Sequence, residues 1–175
     1  MAQKISSKLK KMKIAFTGPE SSGKTTMARW TAKHISYELV PEYAREYLQK
    51  TAAYHLNDLN NIALEQFKRN NASRNLVVDT EMLVMKIWCE EKYSNCSQEI
   101  LGLFKEQKID HYFLCKPDIP WEPDPLRENP EDRKRLFKLY ERDLLGLGAS
   151  YDVLSGNIEE RQMRIIATLK KLNVL

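Results

Sequence analysis

Long apolar runs are missing from this chain of 175 residues: no uncharged stretch approaches the ~18 residues that would cross a bilayer, so a soluble protein with no membrane partner is expected. The amino terminus carries Lys4, Lys8, Lys10, Lys11 and Lys13 but no apolar segment leading to a small-residue cleavage site, so it does not fit a secretory leader. Cysteine is scarce. Cys89, Cys96 and Cys115 form no CxxC pair, have no histidine at metal-ligand spacing and are odd in number, which points to reduced thiols in a cytoplasmic protein. Excess charge is small as well. The net charge is +4, and with five lysines in the first thirteen residues the remainder is nearly balanced, so no nucleic-acid footprint is evident. Residues 1–12 read as a solvated basic arm and residues 13–175 as one domain.

No repeat or low-complexity tract occurs, and short β-type runs alternate with longer helical patterns. The strand candidates are KIAFT (Lys13–Thr17), YELV (Tyr37–Val40), NLVVD (Asn75–Asp79), HYFLC (His111–Cys115) and YDVL (Tyr151–Leu154). They are short and rich in β-branched or aromatic residues, as buried parallel strands are. Helical periodicity covers residues 24–35, 58–70 and 81–92, and Asn157 followed by Glu160 forms a capping pair that opens a last helix through Leu169. This interleaving predicts an α/β fold: a three-layer sandwich with a five-stranded parallel sheet and right-handed crossovers. Between the last two strands, Pro117, Pro120, Pro123, Pro125 and Pro130 precede a charged helical pattern. The stretch around 118–145 reads either as a lid over a site or as a structural excursion.

Gly18-Pro-Glu-Ser-Ser-Gly-Lys-Thr25 fits G-x-x-x-x-G-K-[ST] at every fixed position, directly after one strand and before one helix. Such a loop wraps phosphate with backbone N–H groups, which assigns Gly18, Glu20, Ser21, Ser22, Gly23, Lys24, Thr25 and Thr26 to binding ATP. Lys24 is expected to bridge the β- and γ-phosphates, and Thr25 to offer its hydroxyl to Mg²⁺. Asp79, ending the third strand, is the second metal candidate, or else a strand-terminating turn residue; Glu81 is placed to serve the metal or the acceptor. Arg127 and Arg133 are candidates to stabilise charge on the transferring phosphoryl group, whereas Arg135 and Arg142 read as surface residues. A DExx box, an NKxD motif and a long AAA-type second subdomain are all missing, which leaves a small kinase-like P-loop protein.

The segments GPESSGKTT, VPEYAREYL, VVDTE, KPDIPWEPDPLRE and SGNIEERQ occur in an order and spacing that resembles the ribosylnicotinamide kinase domain of NadR-type NAD-biosynthesis regulators. The resemblance runs from Lys13 to Leu172 and implies a P-loop nucleoside-kinase-like fold. The implied reaction is transfer of the ATP γ-phosphate to the 5′-hydroxyl of nicotinamide riboside. Multidomain relatives also have a helix-turn-helix and a nucleotidylyltransferase with an HxGH motif; none exists among His34, His55 and His111, so a stand-alone kinase module is expected. One departure is Pro125, where the resemblance suggests a glycine.

On this reading Glu42 accepts the hydroxyl proton, with a helix N-terminal charge as its alternative role, and Arg45 and Asp79 join it in binding substrate. Trp121, flanked by Asp118 and Asp124, would face the cationic pyridinium ring or else be a core tryptophan. The partner is then a small-molecule nucleoside. Another small hydroxyl acceptor, an ATP-binding regulatory module with little turnover, and homo-oligomerisation are left open.

Overall fold

The structure is a computed structural model, described here for residues 11–49, 53–127 and 130–175. Five strands, β1 (Lys13–Thr17), β2 (Glu38–Val40), β3 (Leu76–Asp79), β4 (His111–Cys115) and β5 (Tyr151–Leu154), form one parallel sheet in the order β2-β3-β1-β4-β5. Among the described residues seven helices connect or follow them: α1 (Lys24–Ile35), α2 (Tyr43–Leu48), α3 (Leu56–Asn70), α4 (Met82–Tyr93), α5 (Gln98–Glu106), α6 (Arg133–Gly146) and α7 (Ile158–Lys171). Among the described residues no helix is long and apolar enough to cross a membrane.

The two-residue period of the strands sorts the core into faces. Ile14, Phe16, Val77 and Phe113 meet Met27, Ala28 and Ala32 of α1 and Ile165 and Leu169 of α7. Ala15, Val78, Tyr112 and Leu114 project the other way, against Leu83 and Ile87 of α4 and Leu136, Tyr140 and Leu144 of α6. A third cluster joins α2 through α5 around Leu59, Ile62, Met82 and Met85.

Three expectations are revised. Residues 1–10 of the expected arm lie outside the described residues, and Met12 belongs to the core at 3% exposure, so the packed domain includes residue 12. The segment around 118–145 is not a lid throughout. Its helical half, α6, is docked on the sheet because Leu136, Tyr140 and Leu144 recur every four residues on one face, and Lys86 of α4 bonds Asp143 at 2.8 Å. Only the proline-rich half is irregular. Two short helices, α2 and α5, had also escaped the periodicity reading; Ser97 caps α5 by accepting from Ile100 N–H at 3.2 Å.

β1 sits between β3 and β4, so the loop leaving its carboxyl end lies where the chain's connections diverge to the two sides of the sheet. In open α/β sheets that crevice is where ligands bind.

Candidate active site

The glycine-rich loop takes its shape from backbone that side chains would obstruct. Gly18 has φ +129°, and a Cβ there would lie 2.6 Å from the Cys115 carbonyl oxygen, so only glycine lets β1 turn this close to β4. Gly23 has φ +85° and opens α1, whose first N–H groups carry no side-chain cap. Ser22 Oγ closes the loop by donating to the Pro19 carbonyl at 2.7 Å. Lys24 Nζ donates to the carbonyls of Gly18 at 2.9 Å and Pro19 at 2.8 Å, which holds its charge over the loop.

A cleft of about 230 Å³ contains this loop, with Gly18, Glu20, Ser21, Ser22, Gly23, Lys24, Thr25 and Thr26 all in its wall. The rest of its wall carries an apolar patch, Leu48 of α2, Val84, Ile87 and Trp88 of α4, Leu126, and Leu136 and Tyr140 of α6, bordered by charged side chains that include Arg45, Glu91 and Arg127. Glu42 lines the same cleft, at the entry to α2, and its charge is felt by both Asp79 and Tyr140.

Asp79 ends β3 level with Phe16 of β1, buried at 3% exposure and hydrogen-bonded by Thr25. Burial pushes its carboxyl above the usual range, with Glu42 adding to the rise, while the Thr25 bond and the charges of Lys24 and Arg45 oppose it. Asp79 Oδ1 is buried without a hydrogen-bond partner among the described residues. A hard oxygen orphaned beside the P-loop hydroxyl fits a Mg²⁺ held by Thr25 and Asp79. Among the described residues no group of three or more His, Cys, Asp or Glu side chains is arranged around a metal position.

Glu42 stands at the N-cap of α2 without a side-chain cap bond and pairs with Arg45 at 3.0 Å, so its charge lies both at the helix N-terminus and in the cleft wall. Arg45 reaches on to Asp124 at 2.8 Å, and this hydrogen bond holds the Asp124 carboxyl below its usual range. Asp124 also accepts from Leu126 N–H at 2.9 Å. It therefore bears on the cleft through Arg45, not by lining it.

Other predicted residues are drawn elsewhere. Glu81 is fully buried, accepting from Thr17 Oγ1 at 2.9 Å, Gln107 Nε2 at 2.9 Å and Leu83 N–H at 2.6 Å. It caps α4 and lies outside the cleft wall, turned from Asp79 by the intervening Thr80 at φ +89°, a strained value for a β-branched residue. Asp118 is occupied by Arg161 Nη2 and by Gly156 N–H at 2.9 Å. Trp121 does not line the cleft; the guanidinium carbons of Arg127 and Arg133 lie 5.9 and 5.5 Å from its ring centroid. Two cations already lie near this ring, which competes with the pyridinium platform expected there.

The two lid arginines diverge. Arg127 lines the cleft and donates to the Glu122 carbonyl, whereas Arg133 spends Nη1 on the Ser21 carbonyl at 2.8 Å and Nη2 on the Ile119 carbonyl at 3.2 Å. Arg133 thus fastens the P-loop to the proline-rich segment. Arg135 and Arg142 are at the surface, paired with Glu91 and Asp143 respectively.

Sequence reasoning missed Arg161. At 2% exposure it donates from Nε to the Gly156 carbonyl at 2.9 Å, from Nη1 to the Ser22 carbonyl at 2.7 Å and from Nη2 to the Lys116 carbonyl at 2.9 Å. It also missed Trp88 and Tyr140, whose only sequence signal was apolar spacing on α4 and α6.

Residues 13–161 match the family described as AAA domain (AAA_28). The chain is 26% identical over 138 residues to the trifunctional NAD biosynthesis/regulator proteins NadR of Salmonella typhimurium and Escherichia coli, covering 72% of this chain and 34% of each relative. It spans about a third of the length of these curated relatives. Among solved structures, the NadR protein in complex with NR superposes with a TM-score of 0.73 at 18% identity, covering 94% of this chain and 51% of that one. The deoxyadenosine kinase from M. mycoides with bound dATP gives 0.65 at 19%, covering 91% and 100%. These structures share its fold, that of P-loop nucleoside kinases. With a glycine-rich loop, a carboxylate-tipped neighbouring strand and a family match over most of its length, the chain belongs to the AAA domain family AAA_28 and has a nucleotide-binding P-loop kinase fold.

Proposed function

We propose that the protein is an ATP-dependent kinase that phosphorylates the 5′-hydroxyl of nicotinamide riboside, giving nicotinamide mononucleotide. One observation carries the kinase reading: a phosphate loop and an apolar patch with aromatic side chains share a single cleft with the carboxylate of Glu42. The sequence similarity to NadR supports the choice of riboside.

In this reading the loop N–H groups and Lys24 hold the ATP phosphates, and Arg127 meets charge that grows on the transferring group. Glu42 receives the proton of the attacking hydroxyl, and Arg45 and Asp124 fix its orientation. Thr25 and Asp79 would hold Mg²⁺, which neutralises phosphate charge when bound.

Arg127 in the cleft wall, with Arg133 also near Trp121, favours a second reading, in which the acceptor is an uncharged nucleoside. ADP release measured with nicotinamide riboside and with uncharged nucleosides decides between them. Lys24→Ala is the control: it should lower turnover by about 10² or more, as removal of a preorganised charge does. It should leave unfolding unchanged, since among the described residues Nζ bonds only its own loop. ATP binding with no acceptor-dependent ADP release in the wild type would reject the kinase and leave a regulatory nucleotide-binding module.

A further inference from the structure

The inner wall of the cleft holds a polar group for which the fold itself supplies no use. Tyr140 is 4% exposed, packed with Leu136 and Leu144 along the buried face of α6, and lines the cleft. Its hydroxyl makes no hydrogen bond to any described residue. Other tyrosines of this chain do better: Tyr47 donates to Asp58 at 2.8 Å, Tyr93 to the Tyr54 carbonyl at 3.4 Å, and Tyr112 accepts from Gln107 at 3.3 Å. The ring is packed in the core while the residue lines the cleft, so its hydroxyl is left for whatever enters there, a use that phenylalanine of the same volume could not serve.

The surroundings say what the hydroxyl would meet. Glu81, Glu20, Glu42 and Glu91 are the charges felt at Tyr140, and three of them, Glu20, Glu42 and Glu91, line the cleft with it. Burial, and then these carboxylates, push the phenol well above its ordinary range, so it stays neutral and keeps its proton to donate. Of the nearby carboxylates, Glu42 is held by Arg45, Glu91 by Arg135 and Glu81 by its own donors. Cleft, carboxylate and phosphate loop meet at this residue.

We infer that Tyr140 is an acceptor-binding residue, whose hydroxyl donates a hydrogen bond to a sugar oxygen of the nucleoside and so aligns the attacking hydroxyl with the phosphate loop. The inference rests on the kinase reading above. It predicts selection for a ligand that brings an oxygen acceptor to the inner end of the apolar recess, and it places part of the acceptor's recognition on the helix that follows the proline-rich segment.

The test is Tyr140→Phe, compared with wild type at saturating ATP on whichever nucleoside of the panel is turned over, together with nucleoside binding in the absence of ATP by calorimetry. The expected result is an acceptor KM and Kd raised about five- to tenfold, the effect of one lost neutral hydrogen bond. The ATP KM and the thermal midpoint should both be unchanged. An unchanged acceptor KM and Kd overturns the assignment, as does a lowered midpoint with both substrates weakened together, which would make Tyr140 a packing residue. If the wild type neither binds nor phosphorylates any nucleoside, the kinase reading fails and takes this inference with it. Nucleoside turnover that is indifferent to Tyr140→Phe removes the inference alone.

Discussion

Arg161 of α7 donates to the Ser22 carbonyl at 2.7 Å, so the last helix of the chain grips the phosphate loop from behind. The same guanidinium holds the carbonyls of Lys116 and Gly156 and pairs with Asp118, which ties the turns after β4 and β5 to the loop after β1. Arg161→Lys keeps the charge but cannot reach these acceptors together. A loss of about 1.5–3 kcal/mol is expected for each acceptor left unmet, the range for a hydrogen bond to a charged group. Urea unfolding and the ATP KM check it: both should worsen, and a variant with wild-type midpoint and KM would show that the loop is held by other means.

Arg127 and Arg133 should separate kinetically. Arg127 lines the cleft, so Arg127→Ala is expected to lower kcat more than it weakens ATP binding. Arg133 holds the Ser21 and Ile119 carbonyls, so Arg133→Ala should raise the ATP KM and lower the thermal midpoint with a smaller effect on kcat. Steady-state kinetics on both variants would contradict this if Arg133→Ala struck kcat alone.

Trp88, not Trp121, should carry the acceptor's ring. Trp88 lines the recess and is fixed by donating to the Tyr54 hydroxyl at 3.0 Å, with the two rings edge to face at 5.4 Å. Trp88→Ala should raise the acceptor KM roughly tenfold, about 1.4 kcal/mol, while Trp121→Ala moves it less. The reverse ranking would restore Trp121 as the platform.

Acid should weaken the fold through His111. Burial holds its imidazole below the ordinary value of 6.5, with Asp152 partly opposing, and Nε2 has no hydrogen-bond partner among the described residues. The unfolded chain therefore takes a proton near pH 6.5 that the folded chain refuses. Stability from this group is intact above pH 6.5 and falls as the pH drops below it, by at most about 1.4 kcal/mol per unit. His111→Asn can keep a bond to Ser150 Oγ, now 2.9 Å from Nδ1, without titrating. Unfolding free energies at pH 7 and 5.5 should show the wild type losing more than the variant; equal losses would assign the acid sensitivity elsewhere.

Much of the scaffold was legible because its signals are local. β1, β4 and β5 have the bounds their apolar runs suggested, and Asn157 and Glu160 form the expected reciprocal cap, with Glu160 N–H to Asn157 Oδ1 at 2.9 Å and Asn157 N–H to Glu160 Oε2 at 2.8 Å. The glycine-rich loop was equally plain, since its spacing is its mechanism. The docking of α6 was hidden because Leu136, Tyr140 and Leu144 are spread among charged residues that solvate the opposite face. Glu81 and Asp118 looked like ligands for a similar reason: a carboxylate's partners decide its role, and theirs are Thr17 and Arg161, brought near by the sheet and not by sequence.

The position of β1 also orders the way this protein must fold. Lys13 pairs with Leu76 and Ile14 with His111, so the central strand has no partner close to it in sequence and each pairing closes a long loop. Loop closure of that kind is slow, and it places the completion of β1 after most of the chain is available. A chain growing from its amino terminus makes the phosphate loop early and can shape it only late, once β4 has emerged. Nucleotide would then bind the finished sheet and stabilise it by mass action, without templating the steps that lead there.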